Sequence, residues 1–305
     1  MAAENENVAA GGPFPGGSPP AEEKEREKAV RPETISLALA AWELEKTRAA
    51  RPDSPRAREV LLRTHQRLQS EVESRRGVPP ADRSLILVSP GASDSVLVIH
   101  SATTTPATMR PLAEQLHRAG FNVYAPLMPT KANLAQGIGD VLWRACLQEA
   151  RLRLRLLRGA GRRVHVVGLS FGAALAVHLA AEDKPHSLVL LAPALEPRLP
   201  LHVRLLLRLN VHRLQFVRRK YGWDLEVLEA MERARPLLSH LDMPVYAAQC
   251  QDDERISPAS LRLLQRKAKH PASRFRLYPQ GGHRVLEAHG AAGLNEEIAG
   301  FLRDL

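Results

Sequence analysis

The stretch from Val164 to Gly172 limits the fold of this chain more than any other part of the sequence. Residues 164–168 are mostly β-branched and apolar, a composition typical of a buried strand. They lead into Gly168–Gly172, which has the pattern G-x-S-x-G around Ser170, and an alanine-rich run of helix-forming residues follows. A serine flanked in this way between a strand and a helix is typical of a nucleophile elbow.

Such an elbow would lift the hydroxyl of Ser170 off the end of the sheet and place it at a helix N-terminus, where backbone N–H groups can stabilise an oxyanion. The two glycines would let the strand and the helix approach each other closely. The alternative is a glycine-rich turn in which Ser170 only caps the helix. Because G-x-S-x-G also occurs by chance, the choice depends on whether the chain supplies the other residues of a catalytic site.

A serine nucleophile needs a base that takes its proton and a carboxylate that orients the base. Among the twelve histidines, His283 lies in a glycine-containing loop directly after the last predicted strand, where it can reach the elbow. Asp252 and Asp253 follow the preceding predicted strand. Adjacent side chains point in different directions, so only one of the two aspartates can orient the histidine. A surface pair of loop aspartates without a role is the alternative.

Residues 84–305 resemble the α/β-hydrolases, and within them the small bacterial carboxylesterases and monoacylglycerol lipases with a short helical cap. The segments that carry the resemblance are Val96–His100 with Thr104–Pro106 and Met109–Ala113, Gly120–Pro126, Gly168–Gly172, Asp252–Pro258, and Gly282–His283. The family's acid precedes an x-x-[VI]-x-P stretch, which implies that Asp253 is the partner of the histidine. The resemblance also implies two backbone N–H donors to the oxyanion, from Phe171 and from Ala102.

This chain has Ser101 after the strand-end histidine, His100, where the family usually has glycine. If that position required a positive φ, a serine there would cost about 1 kcal/mol or more. The alternative to an enzyme is therefore a catalytically impaired α/β-hydrolase that acts as a small-molecule or protein binding module.

The predicted triad, Ser170, Asp253 and His283, suits a serine hydrolase that cleaves carboxylic esters through an acyl-enzyme. Short or medium acyl esters, or monoglyceride-like esters, are the expected substrates. No metal and no organic cofactor is expected, because this chemistry needs neither.

From residue 83 onward, predicted strands and helices alternate, which predicts an α/β fold with a mostly parallel, doubly wound sheet. The first two strands, Leu85–Val88 and Val96–His100, are expected to form a hairpin. We expect a disordered tail over 1–32, a helical N-terminal extension over 33–80 that packs on the body or on a second copy, and the α/β-hydrolase domain over 81–305.

A cap insertion is expected at about 196–242, because this segment interrupts the alternation without a strand pattern. Four of its aliphatic residues share one helical face and are predicted to bind the acyl group, although simple packing over the core is the alternative. These residues are Val203, Leu207, Val211 and Leu214.

The formal net charge of +10 would suit a nucleic acid or an anionic membrane as partner. Aromatic residues make up only 4% of the chain, too few for base-stacking surfaces, so we expect no nucleic-acid partner. Peripheral contact with an anionic membrane surface stays open, because residues 199–217 are basic and contain no acidic residue. A small-molecule ester is the expected ligand, and the oligomeric state is left open.

The first residues of the chain have neither the basic nor the apolar region of a secretory signal. Only two cysteines are present, Cys146 and Cys250. A cytoplasmic protein with unpaired thiols is expected.

Overall fold

A computed structural model of the chain describes residues 54–130, 143–199, 203, 209, 215–287 and 291–305, with residues 215–223 described for their backbone alone. The predicted disordered tail and residues 33–53 of the predicted N-terminal extension lie outside this part of the chain.

Strands and helices alternate along the described chain, as the sequence predicts. The strands are β1 (Leu85–Leu87), β2 (Asp94–Ile99), β3 (Asn122–Ala125), β4 (Arg163–Leu169), β5 (Ser187–Leu191), β6 (Val245–Cys250) and β7 (Arg274–Tyr278). The α-helices are α1 (Pro55–Arg75), α2 (Arg110–Arg118), α3 (Trp143–Ala160), α4 (Phe171–Asp183), α5 (Gln215–Leu237), α6 (Ala259–Lys267) and α7 (Ala291–Arg303). The described residues also form 3-10 turns at Pro80–Asp82, Pro106–Met109 and Leu238–His240.

The strands form one seven-stranded sheet in the order β1-β3-β2-β4-β5-β6-β7. β1 pairs antiparallel with β3, and the other neighbouring pairs are parallel. The predicted hairpin is therefore wrong, because β2 lies between β3 and β4 and does not pair with β1. All six residues of β2 are buried, which suits a central strand with parallel neighbours on both sides, whereas the three-residue β1 lies at the edge.

Helices cover both faces of the sheet and divide the core into two apolar clusters. One cluster joins α1, α3, α4 and α5 to the sheet, and its members include Leu62, Leu154 and Leu175. The other joins α2 and α7 to the opposite face, through residues such as Leu116 and Ile298. Parallel strands need such cover because both of their faces are apolar. The chain therefore has the predicted fold class, a mostly parallel and doubly wound α/β sheet.

Helix α1 begins with a serine cap followed by proline. Ser54 accepts a hydrogen bond from the backbone N–H of Ala57 at 3.2 Å, and Pro55 occupies the first turn. The buried side of α1 includes Leu61, Leu62 and His65. The helix therefore packs on the body of the molecule along its apolar stripe.

The segment between β5 and β6 contains α5, and its described part forms only one isolated bridge, between Pro197 and Ile256. Of the four residues predicted to bind the acyl group, Val203 is half-buried. Leu207, Val211 and Leu214 lie outside the described residues, so their predicted role stays a prediction.

Among the helices of the described chain, we find none that is both long enough and apolar enough to cross a membrane.

Candidate active site

Ser170 lies between the end of β4 and the start of α4, in a backbone conformation that few non-glycine residues adopt. Its φ is 55° and its ψ is −113°, and its N–H donates to the carbonyl oxygen of Leu191 at the end of β5 at 2.8 Å. Strained backbone of this kind persists only where its surroundings hold it. The predicted strand, elbow and helix are thus observed, and Ser170 lies at the N-terminus of α4.

Both glycines of the elbow are required by close backbone contacts. A Cβ at Gly172 would overlap the carbonyl oxygen of Ile99 and lie 2.7 Å from that of His100. A Cβ at Gly168 would overlap the carbonyl group of Gly172 and lie 2.6 Å from the Cα of Ala173. The glycines therefore let the first turn of α4 pack against the ends of β2 and β4.

The side chains of Ser170, His283 and Asp253 form one hydrogen-bonded chain. His283 Nε2 lies 2.9 Å from Ser170 Oγ, and His283 Nδ1 lies 3.0 Å and 3.2 Å from the two carboxylate oxygens of Asp253. An ionised carboxylate only accepts hydrogen bonds, so Nδ1 carries a proton and Nε2 is left to accept from the serine hydroxyl. This is the tautomer that a general base needs.

Asp253 is fixed by its own loop as well as by the histidine. One of its carboxylate oxygens accepts from the backbone N–H groups of Arg255 at 2.9 Å and Ile256 at 2.8 Å. Burial by itself would raise the pKa of Asp253, but the hydrogen bonds from His283, Ile256 and Arg255 outweigh burial and hold the pKa below its ordinary value. The side chain is fully buried and remains an anion beside His283.

Asp252 faces a different partner from Asp253. Its two oxygens accept from the backbone N–H groups of Gly282 at 2.8 Å and Gly281 at 3.2 Å. The N–H of Gly282, more than any other group, lowers the pKa of Asp252. The next residue, Glu254, accepts from the N–H of His283 at 3.1 Å. The sequence does not predict either contact, and its one signal is the run of three acidic residues in a loop beside the predicted histidine loop.

The segments that carry Ala102 and Phe171 leave the sheet side by side. Ile99 is the register partner of Gly168, so the residues that follow each of them lie at the carboxyl ends of adjacent parallel strands. Phe171 is the first residue of α4, and Ala102 is half-buried against the core. Both backbone N–H groups therefore belong to the same edge of the sheet as Ser170.

His100 fixes the start of the turn that carries Ala102. Its Nε2 accepts from the N–H of Met128 at 2.9 Å, which leaves the proton on Nδ1 to donate to the carbonyl oxygen of Ser101 at 2.8 Å. Burial lowers the pKa of His100 to about 4, so the ring is neutral. Ser101 itself has no positive φ, a conformation that three other non-glycine residues of the described chain adopt. The serine in place of the family's glycine therefore imposes no left-handed backbone.

The two thiols are poor nucleophiles. Cys146 and Cys250 are buried and unpaired, and burial raises the pKa of Cys146 to about 12 and that of Cys250 to about 11. Within the described residues, no group of three or more His, Cys, Asp and Glu side chains is arranged to hold a metal ion.

Several solved structures share this fold at low sequence identity. One of the two metagenome-derived lipolytic enzymes LipS and LipT aligns with 19% identity and a TM-score of 0.62, covering 74% of this chain and 99% of its own. The monoacylglycerol lipase of Paleococcus ferrophilus aligns with 18% identity and a TM-score of 0.60, covering 72% of this chain and 97% of its own. A meta-cleavage product hydrolase of Pseudomonas fluorescens aligns with 14% identity and a TM-score of 0.52, covering 72% of this chain and 93% of its own. At these identities the likeness concerns the fold.

No curated protein sequence gives a significant match to this chain. Residues 86–297 match the model of the alpha/beta hydrolase family, and that region contains all the strands from β2 to β7 together with Ser170, Asp253 and His283. The chain belongs to the alpha/beta hydrolase family.

Proposed function

We propose that this protein is a serine hydrolase that cleaves carboxylic esters through an acyl-enzyme. The observation that carries the proposal is the chain of hydrogen bonds from Ser170 Oγ to His283 Nε2, at 2.9 Å, and from His283 Nδ1 to Asp253, at 3.0 Å. A nucleophile within reach of its base, with the base oriented by a buried carboxylate, is the arrangement that activates a serine hydroxyl.

In the first half of the proposed reaction, Ser170 Oγ attacks the carbonyl carbon of the ester while His283 Nε2 takes the hydroxyl proton. The imidazolium formed is stabilised by Asp253, whose own pKa is held low. The carbonyl oxygen becomes an oxyanion, and we assign its stabilisation to the backbone N–H groups of Phe171 and Ala102. The N-terminus of α4 adds the positive end of its dipole at the same place.

In the second half, the imidazolium of His283 gives its proton to the leaving oxygen, and the alcohol departs. A water molecule then loses a proton to His283 and attacks the acyl-enzyme on Ser170. The ester bond to the serine breaks, Ser170 regains its proton from His283, and a carboxylic acid is released.

An enzyme is favoured over a binding module by the backbone at Ser101. A serine at this position would impair the oxyanion hole only if its backbone were strained, and Ser101 has no positive φ. The site therefore lacks the backbone defect that would favour a silent member of the family.

For the substrate, we propose uncharged esters with short or medium acyl chains. Residues 199–222 contain no acidic residue that could hold a substrate ammonium group, which disfavours aminoacyl substrates. Two of the structurally similar proteins are described as a lipolytic enzyme and a monoacylglycerol lipase. We assign the acyl site to the aliphatic residues Val203, Leu207, Val211 and Leu214.

The test is to compare kcat/KM for acetyl, butyryl and octanoyl esters and for aminoacyl amides, with Ser170→Ala as the control that should hydrolyse none of them. Each methylene buried in an apolar site contributes about 0.8 kcal/mol, so kcat/KM should rise about tenfold for every two carbons until the site is full. Aminoacyl amides as the best substrates, or no dependence on chain length, would contradict the proposed substrate class.

A further inference from the structure

The segment that precedes the family match makes two connections to the turn that carries Ala102. The match begins at residue 86, so α1, the 3-10 turn Pro80–Asp82 and Ser84 all lie upstream of it. The turn itself spans residues 101–105, between the end of β2 and the 3-10 turn Pro106–Met109. One connection reaches the end of this turn and the other reaches its start.

The direct connection is a hydrogen bond from Thr105 Oγ1 to Asp82 Oδ1, at 2.7 Å. Thr105 is the last residue of the turn 101–105 and directly precedes the 3-10 turn Pro106–Met109. Inside the turn, the N–H of Ser101 donates to Thr104 Oγ1 at 3.2 Å. Asp82 thus holds the end of a short turn that is already closed by its own hydrogen bonds.

The second connection begins at the buried carboxylate of Glu73 on α1. Glu73 is 1% exposed, and it accepts from the backbone N–H of Ser84 at 2.8 Å and from the Ser84 hydroxyl. Ser84 Oγ in turn accepts from the N–H of Leu127 at 2.8 Å. The next residue, Met128, donates to His100 Nε2, and His100 Nδ1 donates to the carbonyl oxygen of Ser101.

The carbonyl of Ser101 and the N–H of Ala102 belong to the same planar peptide unit and point in opposite directions. A hydrogen bond that fixes the carbonyl therefore also fixes the direction of the N–H. An oxyanion donor works only within about 2.7–3.1 Å of the developing charge, and an error of about 1 Å in a catalytic arrangement can cost about a hundredfold in rate. The contacts at Ser101 and Thr105 thus bear directly on how well Ala102 can act.

We propose that Asp82 is a positioning residue for the oxyanion donor Ala102, so that a segment outside the family's common region completes the active site. Asp82 holds the end of the turn through Thr105, and the hydrogen bonds that begin at Glu73 lead to its start. This inference rests on the proposed function, in which the Ala102 N–H binds the oxyanion.

The test uses the hydrogen-bonded pair Thr105 and Asp82, whose two side chains are half-buried. Asp82→Ala and Thr105→Val in the full chain should each lower kcat for butyryl ester about tenfold, with KM within about twofold of the wild type. Inhibition by a trifluoromethyl ketone, which forms an oxyanion on Ser170, should weaken by the same factor as kcat. Asp82→Asn should restore most of kcat and of the ketone inhibition, because its amide oxygen can accept the same hydrogen bond.

Two further measurements separate positioning from a general loss of stability. The double variant Asp82→Ala/Thr105→Val should lose no more activity than either single variant, since both remove the same contact. The matched control is Gln66→Met, which removes the bond from Gln66 Nε2 to the carbonyl oxygen of Ile86 at 2.8 Å. That bond ties α1 to β1, so its loss should lower Tm and leave kcat and ketone inhibition unchanged.

Wild-type protein that neither cleaves the ester nor binds the ketone would overturn the proposed function, and this inference with it. An active wild type whose kcat and ketone inhibition are unchanged in Thr105→Val would overturn the inference alone. The same holds if Asp82→Asn loses as much activity as Asp82→Ala, or if the two single losses multiply in the double variant. If Asp82→Ala does not fold, Thr105→Val and Asp82→Asn still decide the outcome.

Discussion

At the scale of single residues, three consecutive carboxylates after β6 have three different partners. Asp253 binds the imidazole of His283, Asp252 binds the backbone of Gly281 and Gly282, and Glu254 binds the N–H of His283. Their exposure also differs: the side chain of Asp253 is fully buried, whereas that of Glu254 is 63% exposed. Of the three, only Asp253 contacts the histidine ring.

Asp253→Asn should lower kcat by about 10³- to 10⁴-fold, because an amide in place of the carboxylate favours the wrong tautomer of the histidine. Asp252→Asn is the matched control. It keeps an oxygen that can accept from Gly282, so kcat should fall by about tenfold at most. Steady-state kinetics of both purified variants checks this, and a larger loss in Asp252→Asn than in Asp253→Asn would show that the loop has a different register.

The choice between the two aspartates could be predicted from the sequence only through the family's x-x-[VI]-x-P pattern. The structure places Asp253 beside His283, where that pattern predicts it. The contacts of Asp252 and Glu254 could not be predicted, because they join two loops about 30 residues apart whose relative position depends on the pairing of β6 with β7. The hydrogen bond between Asp82 and Thr105 could not be predicted either, because it joins two turns that are 23 residues apart in the sequence.

At the scale of elements, the site depends on how closely α4 approaches the end of β2. Gly172→Ala should strongly destabilise the fold, because its Cβ would overlap backbone carbonyl atoms that no side-chain rotation can move. Gly300→Ala in α7 is the matched control. A Cβ there has open space, so the substitution should raise stability by about 0.5–1 kcal/mol. Urea unfolding of both variants checks this, and equal stability of the two would contradict the close approach.

The order and type of the elements could largely be predicted, because each depends on local periodicity. The predicted strands Leu85–Val88 and Val96–His100 are observed as Leu85–Leu87 and Asp94–Ile99. The pairing of strands is a non-local property, which is why the predicted hairpin is wrong. β1 pairs with β3 instead, more than 30 residues further along the chain.

At the scale of the whole molecule, three buried neutral histidines link distant parts of the fold. His65 on α1 lies 3.0 Å from Tyr124 Oη on β3 and 3.1 Å from a guanidinium nitrogen of Arg153 on α3. His165 on β4 lies 2.8 Å from the Ser187 hydroxyl on β5. Together with His100, these side chains join the N-terminal helix, the centre of the sheet and the edge that carries the site.

These histidines predict that stability falls in mild acid. Burial, with Arg153 adding to it, lowers the pKa of His65 to about 3, and burial lowers the pKa of His100 to about 4. Burial and then His186 lower the pKa of His165 to about 3. In the unfolded chain each would titrate near 6.5, so between that pH and about 4 the unfolded state binds more protons than the folded state.

The free energy of unfolding should therefore change little between about pH 7 and 8 and should fall on the order of several kcal/mol between pH 6.5 and 4. Urea unfolding at pH 7.5, 6.5, 5.5 and 4.5 measures it. His65→Gln should give a shallower fall over this range, since one of the three groups is removed. A free energy of unfolding that does not change from pH 7.5 to 4.5 would contradict the buried neutral state of these rings.

If Ser170 is a nucleophile activated by His283 and Asp253, it should react with a fluorophosphonate. Wild-type protein should take up one phosphonyl group, mapped by mass spectrometry to the peptide that contains Ser170. Ser170→Ala should take up none while keeping the circular dichroism spectrum of the wild type. Undiminished labelling of folded Ser170→Ala, or no reaction of the wild-type protein, would contradict this role of Ser170.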